Sequence, residues 1–391
     1  MEQADIGFFD LEDSRYQHNP RPHFQALSGC PFAKSKRGYV VLDRAMARKA
    51  LQEDVPISTD HISAEKYPYL ADRTKEPLLK RFGPEHKRLR GILSLALRTR
   101  IIDGLRSRIV KIFEELLDAV MAKGDADLVS DLCDPFVARV ISPILGIPDE
   151  DIPMVAKWVG ITSEWVNTQA TNEDLSRIEY AWQELENYLL KILKEKRTNS
   201  SGDIFSELLE KMSEFGDLEI VGVAAEMTRA GYNTTRRQLA CTLYALITNP
   251  SQWRKLVENP SLAASAVEEG LRFSPIIHLL NRQILADKTI DGLAVKAGEL
   301  LSVPPYSVNF DQSIPEADQF DITRAPNQHF TLGFGSHLCL GAPLARMEMV
   351  EALTAMARRI ESMELKSEIT RSSASVGWVP LSLPVKIHPR Q

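Results

Sequence analysis

The chain has 391 residues, of which 44% are hydrophobic and 26% are charged, a balance typical of a globular protein and unlike a disordered one. Its net charge of −6 argues against nucleic-acid binding through overall charge. No apolar run approaches the length of a membrane span, and the first residues lack the basic start of a signal peptide, so we expect neither a membrane anchor nor secretion.

A local excess of positive charge lies between Lys80 and Lys111. This segment contains ten Lys and Arg residues and only two acids, Glu85 and Asp103, a local charge of +8 (ten minus two). Two interpretations stay open from the sequence: a solvated basic helix face, or a docking surface for an acidic partner.

Most of the chain shows the three- and four-residue apolar spacing of amphipathic helices. Ile101–Lys123 has this spacing and the pattern stops at Gly124, a typical helix end. The longest predicted helix runs from Leu218 to about Thr248, before Asn249-Pro250, and would span ~45 Å at ~1.5 Å per residue. Similar spacing predicts helices over Met154–Val166, Leu175–Glu195 and Ala342–Glu361.

Strand signals are short and concentrated late in the chain. Arg282–Val295 has the pattern of a hairpin that turns at Asp291-Gly292, and Leu300–Val303 and Leu383–Ile387 predict further strands. No Ser- or Gly-rich linker divides the chain. The sequence therefore predicts one domain over residues 1–391, mainly α with a small β subdomain.

The long predicted helix contains residues that are poor choices for a helix interior. Gly231 costs about 1 kcal/mol relative to alanine, and the consecutive Thr234 and Thr235 are unfavourable unless their hydroxyls bond locally or meet a ligand. Either these are tolerated threonines beside a packing glycine, or this stretch faces a ligand.

Four cysteines are widely scattered, and they show neither a disulfide pattern nor a CxxC motif (Cys30, Cys133, Cys241 and Cys339). This usage predicts a reducing, cytoplasmic location.

The most informative segment is 331–348, TLGFGSHLCLGAPLARME, a glycine-rich loop that leads into a predicted helix. Gly333, Gly335 and Gly341 permit tight turns and the close approach of a flat group. Backbone N–H groups at the start of a helix favour negative charge, so we expect Cys339 to be a thiolate, the form that ligates metals.

Blander interpretations of this loop exist. A lone cysteine is usually a small buried apolar residue, and a glycine-rich loop before a helix can cradle phosphate. However, no lysine follows Gly341 as a P-loop would require. One thiolate without a second cysteine or histidine at zinc spacing instead suits a metal whose other ligands come from a macrocycle, as in thiolate-ligated haem.

The spacing G-x-G-x-H-x-C-x-G resembles the cysteine-ligand loop of the cytochrome P-450 family, the haem-thiolate monooxygenases, and the resemblance extends from about Val40 to the C-terminus. It implies the cytochrome P-450 fold, with about a dozen helices and a haem between the long central helix and the cysteine loop. It also implies haem b (iron protoporphyrin IX) with Cys339 as axial ligand, and cofactor contacts from Phe334 and Gly341.

The resemblance further implies which residues bind the haem propionates, which need cations and hydrogen-bond donors. These are His86, Arg90, Arg282 and His337. His86 and Arg90 are four residues apart, so they lie on one face of a predicted helix.

Glu269 and Arg272 match the family's buried pair that supports the cysteine loop, although such i, i+3 pairs are common and weak by themselves, at ~0.2–0.5 kcal/mol. The family often has a further arginine where this chain has Gln319. We expect Arg324 to take that place.

Thr234 matches the family's threonine that hydrogen-bonds dioxygen and helps to deliver protons. The preceding residue is usually an acid and is Asn233 here. An amide can orient water but cannot carry a proton near neutral pH. We therefore expect protons to arrive through a water chain or through substrate groups.

By the same resemblance, the substrate pocket draws on residues around 57–79, 154–185 and 376–379, and on the central helix. The individual side chains expected to line it are mostly apolar and favour a hydrophobic substrate: Ala230, Ile276, Ile277, Leu279 and Trp378. Arg229 stands where the family normally has an aliphatic residue. It either binds a substrate carboxylate or pairs with Glu226 three residues earlier.

The function implied is that of an external monooxygenase acting on a hydrophobic small molecule, with electrons from an acidic ferredoxin-type protein that docks near Lys80–Lys111. No nucleic acid or membrane is involved. Peroxide-driven oxidation, oxidative coupling, nitric oxide reduction, haem-based ligand binding, and a helical binding protein without haem stay open as alternatives.

Overall fold

The computed structural model describes residues 7–10, 13, 19–25, 27, 29–53, 63–73, 78–166, 170–199, 204–372 and 378–390. It is 60% helical, which confirms the mainly α prediction. The helices of the described residues, in chain order, are α1 (Pro20–Gln25), α2 (Arg44–Gln52), α3 (Pro68–Arg73), α4 (Gly83–Ala96), α5 (Thr99–Lys123), α6 (Asp134–Ile141), α7 (Ile152–Thr162), α8 (Asn172–Thr198), α9 (Ile204–Lys211), α10 (Asp217–Thr248), α11 (Pro250–Glu258), α12 (Ala263–Phe273), α13 (Pro305–Val308) and α14 (Ala342–Arg359).

Short strands form three small sheets. The strands are β1 (Phe32–Ser35), β2 (Gly38–Val41), β3 (Asp125–Asp127), β4 (Leu280–Gln283), β5 (Lys288–Ile290), β6 (Leu293–Val295), β7 (Leu300–Val303), β8 (Ile360–Leu365) and β9 (Pro384–Pro389). One sheet has the order β1-β2-β7-β4, another β3-β9-β8, and β5 pairs with β6. The β2–β7 pair is parallel, and the other pairs are antiparallel.

The long central helix, α10, follows the prediction closely. It begins after Gly216, and the acidic side chains in its first turn interact favourably with the positive end of the helix dipole. It ends at Asn249, before Pro250. It packs against α6, α7, α8, α12 and α14, so most of its length is buried inside the helical core. Side chains that must face a ligand therefore have to lie on the remaining open face of this helix.

Helix ends elsewhere agree with the sequence to within a few residues. α5 ends at Gly124, whose φ of 73° lies in the left-handed region. The predicted helix over Met154–Val166 is α7 followed by a single 3-10 turn, Ser163–Val166. α14 stops two residues before Glu361, because Ile360 already belongs to β8.

The predicted hairpin is only partly right. Asp291 and Gly292 have φ of 50° and 84° and join β5 to β6, as the turn sequence predicted. Arg282, at the start of the predicted hairpin, lies instead in β4 and pairs with β7. The sequence patterns also missed the hairpin of β1 and β2, whose partner β7 lies far along the chain.

Hydrophobic side chains form a large core around α10 and a smaller one between α2 and the four-stranded sheet. The segment with Cys339 lies after β7 and before α14, and its short helical turn contacts α2. Among the described residues, no helix combines the length and apolarity needed to cross a bilayer.

Candidate functional site

The loop that carries Cys339 is closed by backbone hydrogen bonds. The N–H of Cys339 donates to the carbonyl of Leu332 at 2.8 Å, and the N–H of Gly333 donates to that of Phe330 at 2.8 Å. Gly333 and Gly335 have φ of 77° and 73°, the left-handed conformation that glycine adopts without strain. The two tight turns expected before the cysteine are therefore present.

Gly335 and Gly341 have different roles. A Cβ on Gly335 would lie 2.7 Å from the carbonyl oxygen of Leu51, so glycine lets the loop rest against the end of α2. Gly341 has a φ of −80° and precedes α14, and a Cβ there would meet no described atom within 4 Å. It lies in the turn that leads into α14, its conformation is open to any residue, and its expected contact with the cofactor stays a prediction.

Asn309 hydrogen-bonds to the start of the cysteine loop. It is fully buried, and its Oδ1 accepts a hydrogen bond from the N–H of Phe330 at 2.8 Å. Its Nδ2 donates to the Thr331 hydroxyl at 3.0 Å, which itself donates to the carbonyl of Leu271 at 2.6 Å. The local sequence suggests no role for Asn309, because its bonding partners lie more than twenty positions away.

Glu269 and Arg272 form the buried pair that the resemblance implied. Both side chains are 0% exposed, and the guanidinium donates to the carboxylate through two bonds of 2.8 Å. The remaining Arg272 donors reach the carbonyls of Asn309, Ala317 and Gln319 at 2.7–3.0 Å. The pair is thus fully bonded, which offsets the cost of burying two charges.

Arg324 completes this cluster as expected. Its Nε lies 3.3 Å from the Glu269 carboxylate. Its other donors reach the carbonyls of Pro315, Glu316 and Gln319. Arg324 therefore supplies the second cation that the family often places near Gln319.

Two histidines and an arginine meet beside Cys339. The His86 ring, 1% exposed on α4, stacks against that of His337 with centroids 4.3 Å apart. Arg90, one turn further along α4, donates to the carbonyl of Leu338 at 2.5 Å. α4 therefore contacts both residues that precede the cysteine.

Arg282 reaches the same loop from the sheet. It is 3% exposed in β4, and its Nη2 donates to the carbonyl of Leu51 at 3.3 Å. Gly335 packs against that same carbonyl, so Leu51 links Arg282 to the cysteine loop. Phe334 lies nearby, with the Arg48 guanidinium 4.6 Å from its ring centroid.

These donors suit a thiolate-ligated haem. One exposed thiol is surrounded by imidazole and guanidinium groups, which bind carboxylate substituents such as propionates. In the described part of the chain, no three His, Cys, Asp or Glu side chains gather in a way that could hold a bare metal ion. A metal here would need a macrocycle to supply its remaining ligands.

Burial and nearby donors act in opposite directions on the pKa of the Cys339 thiol. Burial raises the pKa of its thiol, and the N–H of Gly341, the charges of Arg90 and Arg346, and the N–H of Ala342 only partly oppose this. In the chain without a bound metal, lost hydration opposes the nearby donors, and the thiolate expected at Cys339 stays a prediction. Coordination by a metal cation removes a thiol proton outright.

Thr234 and Ala230 lie on the open face of α10. Both residues are exposed, and the Thr234 hydroxyl donates to the carbonyl of Ala230 at 2.6 Å. α10 continues without interruption through this stretch. A Cβ on Gly231 would lie 2.7 Å from the Ile141 side chain, which supports the interpretation of Gly231 as a packing glycine.

Asn233 faces a different neighbour from Thr234. It is 3% exposed, and its Nδ2 donates to the Ser163 hydroxyl at 2.5 Å and to the Val159 carbonyl at 3.1 Å. Its Oδ1 accepts from Arg236, which also pairs with Asp134 at 2.8 Å. The amide ties α10 to α7, and its catalytic role stays a prediction.

Arg229 lies in a buried position next to Glu226. Burial lowers the pKa of Arg229 and raises that of Glu226, and each charge opposes the shift of the other. The Glu226 carboxylate also accepts from the N–H of Leu78 at 2.5 Å. The electrostatic coupling of these two buried charges favours the ion-pair interpretation, and binding of a substrate carboxylate by Arg229 stays a prediction.

The predicted pocket residues separate into two groups. Ile276 and Ile277 pack with Cys241 and Val379, while Leu279 is half-buried. Trp378 packs against a different cluster that contains Tyr306. Parts of the predicted pocket segments, residues 57–62, 74–77, 167–169 and 376–377, lie outside the described residues.

The basic segment Lys80–Lys111 is less positive in the fold than in the sequence. Five of its arginines pair with acids that lie outside the segment: Arg81 with Glu219, Arg88 with Glu214, Arg98 with Glu207, Arg106 with Glu351 and Arg108 with Asp149. Arg106 also pairs with Asp103, inside the segment. Lys87 and Arg100 remain exposed. A local charge sum therefore overstates the cationic surface.

A second charged cluster, missed from the sequence, supports α14. Glu268 accepts from Arg346 at 2.6 and 3.0 Å and lies 3.2 Å from His329. Burial alone would raise the pKa of Glu268, but these two partners lower it to about 2. Because Arg346 lies in the second turn of α14, seven residues after Cys339, this pair anchors the helix that follows the cysteine loop.

Comparison with known proteins agrees with this geometry. The family model for cytochrome P450 matches residues 32–373. The chain is 33% identical to a polyketide biosynthesis cytochrome P450 of Bacillus subtilis over 75% of this chain and 73% of that protein. It is also 33% identical to the mycinamicin IV hydroxylase/epoxidase of Micromonospora griseorubida, over 80% of each chain.

A solved structure matches over nearly the whole length. The structure of cytochrome P450 BioI, in complex with an acyl carrier protein ligated to hexadec-9Z-enoic acid, superimposes with a TM-score of 0.90. It is 26% identical, and the match covers 96% of this chain and 100% of that one. The predicted fold is thereby confirmed.

We expect the buried Glu269–Arg272 pair to dominate the stability of the site. Glu269→Gln should lower the free energy of unfolding by about 3–5 kcal/mol, because it leaves the Arg272 charge buried without its carboxylate. Urea denaturation measures this loss.

Glu164→Gln is the matched control for this change. It removes a carboxylate whose partner, Arg177, is 45% exposed, so the loss should stay below about 1 kcal/mol. Similar losses in the two variants would show that the buried pair has no special weight.

Proposed function

The chain belongs to the cytochrome P450 family of haem-thiolate monooxygenases, and we propose that it uses haem b to insert one oxygen atom from dioxygen into a hydrophobic small molecule. The observation that carries this proposal is the exposed Cys339, held by buried hydrogen bonds and flanked by His86, Arg90 and His337. We further propose that residues 1–391 act as one such domain.

Each residue has a distinct task in this proposal. Cys339 would be the axial ligand, while His86, Arg90, Arg282 and His337 would bind the propionates. When bound, a haem-thiolate supplies the activation of dioxygen. The protein's own part is to hold that group, to exclude water and to direct protons.

Thr234 is suited to holding a proton donor at the open face of α10. Its hydroxyl hydrogen is directed to the carbonyl of Ala230, so its oxygen remains able to accept a hydrogen bond. A water molecule bound there could donate its other proton into the site. Asn233 cannot carry a proton, and its amide is held by Val159 and Ser163, so we propose that water at Thr234 or a substrate group delivers protons.

We propose a substrate of polyketide or fatty-acyl character. Ala230, Ile276 and Ile277 offer small or apolar surfaces on the central helix and on the segment that follows α12. Two relatives are named for polyketide biosynthesis and for mycinamicin IV oxidation, and BioI was solved with an acyl group on a carrier protein. These support a hydrophobic substrate without identifying it.

For electron transfer, we propose an acidic ferredoxin-type partner that docks near α4. Lys87 is exposed on the same helix as His86 and Arg90, close to the cysteine loop. Opposite charges steer such encounters more than they add affinity. All four cysteines are free, which supports the proposal of a reducing cytoplasmic location.

Cys339→Ser tests the function directly. A hydroxyl is a poor iron ligand, so the variant should lose the carbonyl spectrum of a haem-thiolate protein and most of its bound haem. Absorbance of the reduced, carbon monoxide-treated protein gives the answer. Cys30→Ser, at another exposed cysteine, should behave as the parent, and an unchanged spectrum in Cys339→Ser would refute the proposal.

Thr234→Ala should uncouple reductant consumption from product formation several-fold, with more hydrogen peroxide released, because the bound water loses its acceptor. Asn233→Asp should also change the coupling ratio, since a carboxyl group can carry a proton. The control is Thr248→Ala, which removes an equivalent hydroxyl-to-carbonyl bond at the exposed end of α10. Parental coupling in both site variants would contradict the proton-delivery proposal.

Lys87→Glu should raise the KM for an acidic [2Fe–2S] ferredoxin several-fold and weaken its dependence on salt, since a charge at the rim of an interface mainly changes encounter rates. Lys191→Glu makes the same charge change on α8, where Lys191 is exposed. Equal effects of both variants would indicate a response to net charge and would rule out docking at α4.

A further inference from the structure

One buried polar side chain of α10 lies on the same face as Thr234. Thr234, Gln238 and Cys241 are separated by four and three residues, so they follow one another along that face. Thr234 is exposed, whereas Gln238 is 3% exposed. Because a buried amide is costly unless it is hydrogen-bonded, the partners of Gln238 indicate what this residue holds.

The Gln238 amide bonds to three backbone groups at the end of α12. Its Nε2 donates to the carbonyls of Gly270 at 3.2 Å and Ser274 at 3.1 Å. Its Oε1 accepts from the N–H of Ile276 at 3.4 Å. A carbonyl can only accept and an N–H can only donate, so these partners also fix the orientation of the amide. Gln238 therefore caps a helix to which it does not belong.

These bonds serve a part of the backbone that α12 cannot satisfy by itself. The last carbonyls of a helix have no partner within the helix, and the chain after α12 passes through Pro275, which has no N–H. Pro275 and Ile276 are both buried. Gln238 therefore bonds the chain where it leaves α12 and where little water can replace a lost partner.

Close packing of α10 against α12 holds Gln238 in this position. The Thr242 hydroxyl donates to the Gln238 carbonyl at 2.9 Å. A Cβ on Gly270 would lie 2.3 Å from that hydroxyl oxygen, so glycine lets the two helices approach this closely. Gly270 directly follows Glu269, whose pairing with Arg272 supports the cysteine loop. The contact therefore joins the open face of α10 to the helix that carries this pair.

The segment that Gln238 holds contains two of the predicted pocket residues. Ile276 packs against Cys241, and Ile277 lies against them. Cys241 follows Gln238 by about one turn of α10, and Thr234 precedes it by about one turn. The apolar segment therefore contacts α10 within about two turns of the exposed threonine.

We propose that Gln238 is a positioning residue that fixes the Ile276–Ile277 segment beside Thr234 and thereby determines which ligands fit the site. The inference rests on the proposed function, because Thr234 marks where oxidation takes place. An apolar wall that is already ordered binds a bulky ligand without the cost of ordering it first. Gln238 thus acts on the ligand through Ile276.

Imidazole and 4-phenylimidazole test this role in the haem-loaded protein. Both bind a haem iron through nitrogen, and only the second carries a bulky apolar ring. Gln238→Met keeps an unbranched side chain and removes the three bonds of the amide. It should weaken 4-phenylimidazole about tenfold, because the wall must then be ordered on binding, and change imidazole by about twofold at most. Absorbance titration measures both affinities.

Hydrogen exchange gives a second measurement, which needs no ligand. The peptide that contains the Ile276 N–H should exchange about tenfold faster in Gln238→Met than in the parent. Gln238→Glu, protonated in this buried place, keeps an oxygen acceptor and one O–H donor. It should therefore retain most of the protection and most of the affinity for 4-phenylimidazole.

A double-mutant cycle tests whether Gln238 acts through Ile276. Ile276→Ala removes the wall's side chain and should itself weaken 4-phenylimidazole about tenfold. Adding Gln238→Met to that variant should then weaken the ligand by only about twofold more, because coupled residues are not additive.

Gln252→Met is the matched control. Gln252 lies on α11, and its Oε1 accepts from the N–H of Ile322 at 3.2 Å. The substitution removes the same kind of bond at a different place, so both affinities should stay at their parental values.

Several outcomes would overturn the positioning role. These are equal weakening of the two ligands in Gln238→Met, additive effects in the cycle, the same loss of 4-phenylimidazole affinity in Gln252→Met, or no binding of 4-phenylimidazole by the parent. If Gln238→Met does not fold, the parent and Ile276→Ala decide. A protected Ile276 N–H together with weaker 4-phenylimidazole in Ile276→Ala supports the role, and absence of either overturns it.

The carbonyl spectrum, recorded for every variant, separates this proposal from the proposed function. Absence of the haem-thiolate spectrum from the parent would refute the haem function. A normal spectrum in Gln238→Met with parental affinity for 4-phenylimidazole would refute only the role of Gln238.

Discussion

The buried pair of Glu269 and Arg272 is the interaction on which the position of Cys339 depends. Two charges without exposure are tolerated only if their hydrogen bonds are satisfied. Here the hydrogen bonds that satisfy the pair also connect it to the cysteine loop. Arg272 donates to the carbonyl of Asn309, and the Asn309 side chain accepts from the N–H of Phe330 at the start of the loop. These bonds join α12 to the start of the cysteine loop and so hold the loop against that helix.

The parts of the fold that the sequence could predict are those encoded locally. The turn at Asp291-Gly292 and the end of α5 at Gly124 depend on backbone conformations that few residues adopt. Asn309 and the Glu268–Arg346 pair were invisible, because their partners lie 21 and 78 residues away. The resemblance suggested which residues bind haem, whereas the hydrogen bonds of those residues could be seen only in the fold.

Charge shows the same limit more sharply. Summing charges over Lys80–Lys111 assumes that each side chain acts alone, yet Arg81 and Arg88 pair with acids of residues 214 and 219, more than a hundred positions away. The thiol of Cys339 is a second example, because its pKa depends on hydration lost to the whole site as well as on the adjacent helix start. Local patterns fix which groups are present, and tertiary packing fixes their charge state.

In the central helix α10, neighbouring residues contact different parts of the protein because they point in different directions around the helix axis. Residues one position apart differ by about 100° around a helix, so Asn233 can be tied to α7 while Thr234 faces the open side. Arg229 lies beside Glu226 for the same reason, whereas Thr234, five positions further along, is exposed. Each of the two buried charges, Arg229 and Glu226, opposes the pKa shift that burial causes in the other. The same helix therefore buries a pair of opposite charges on one side and leaves a hydroxyl accessible on another.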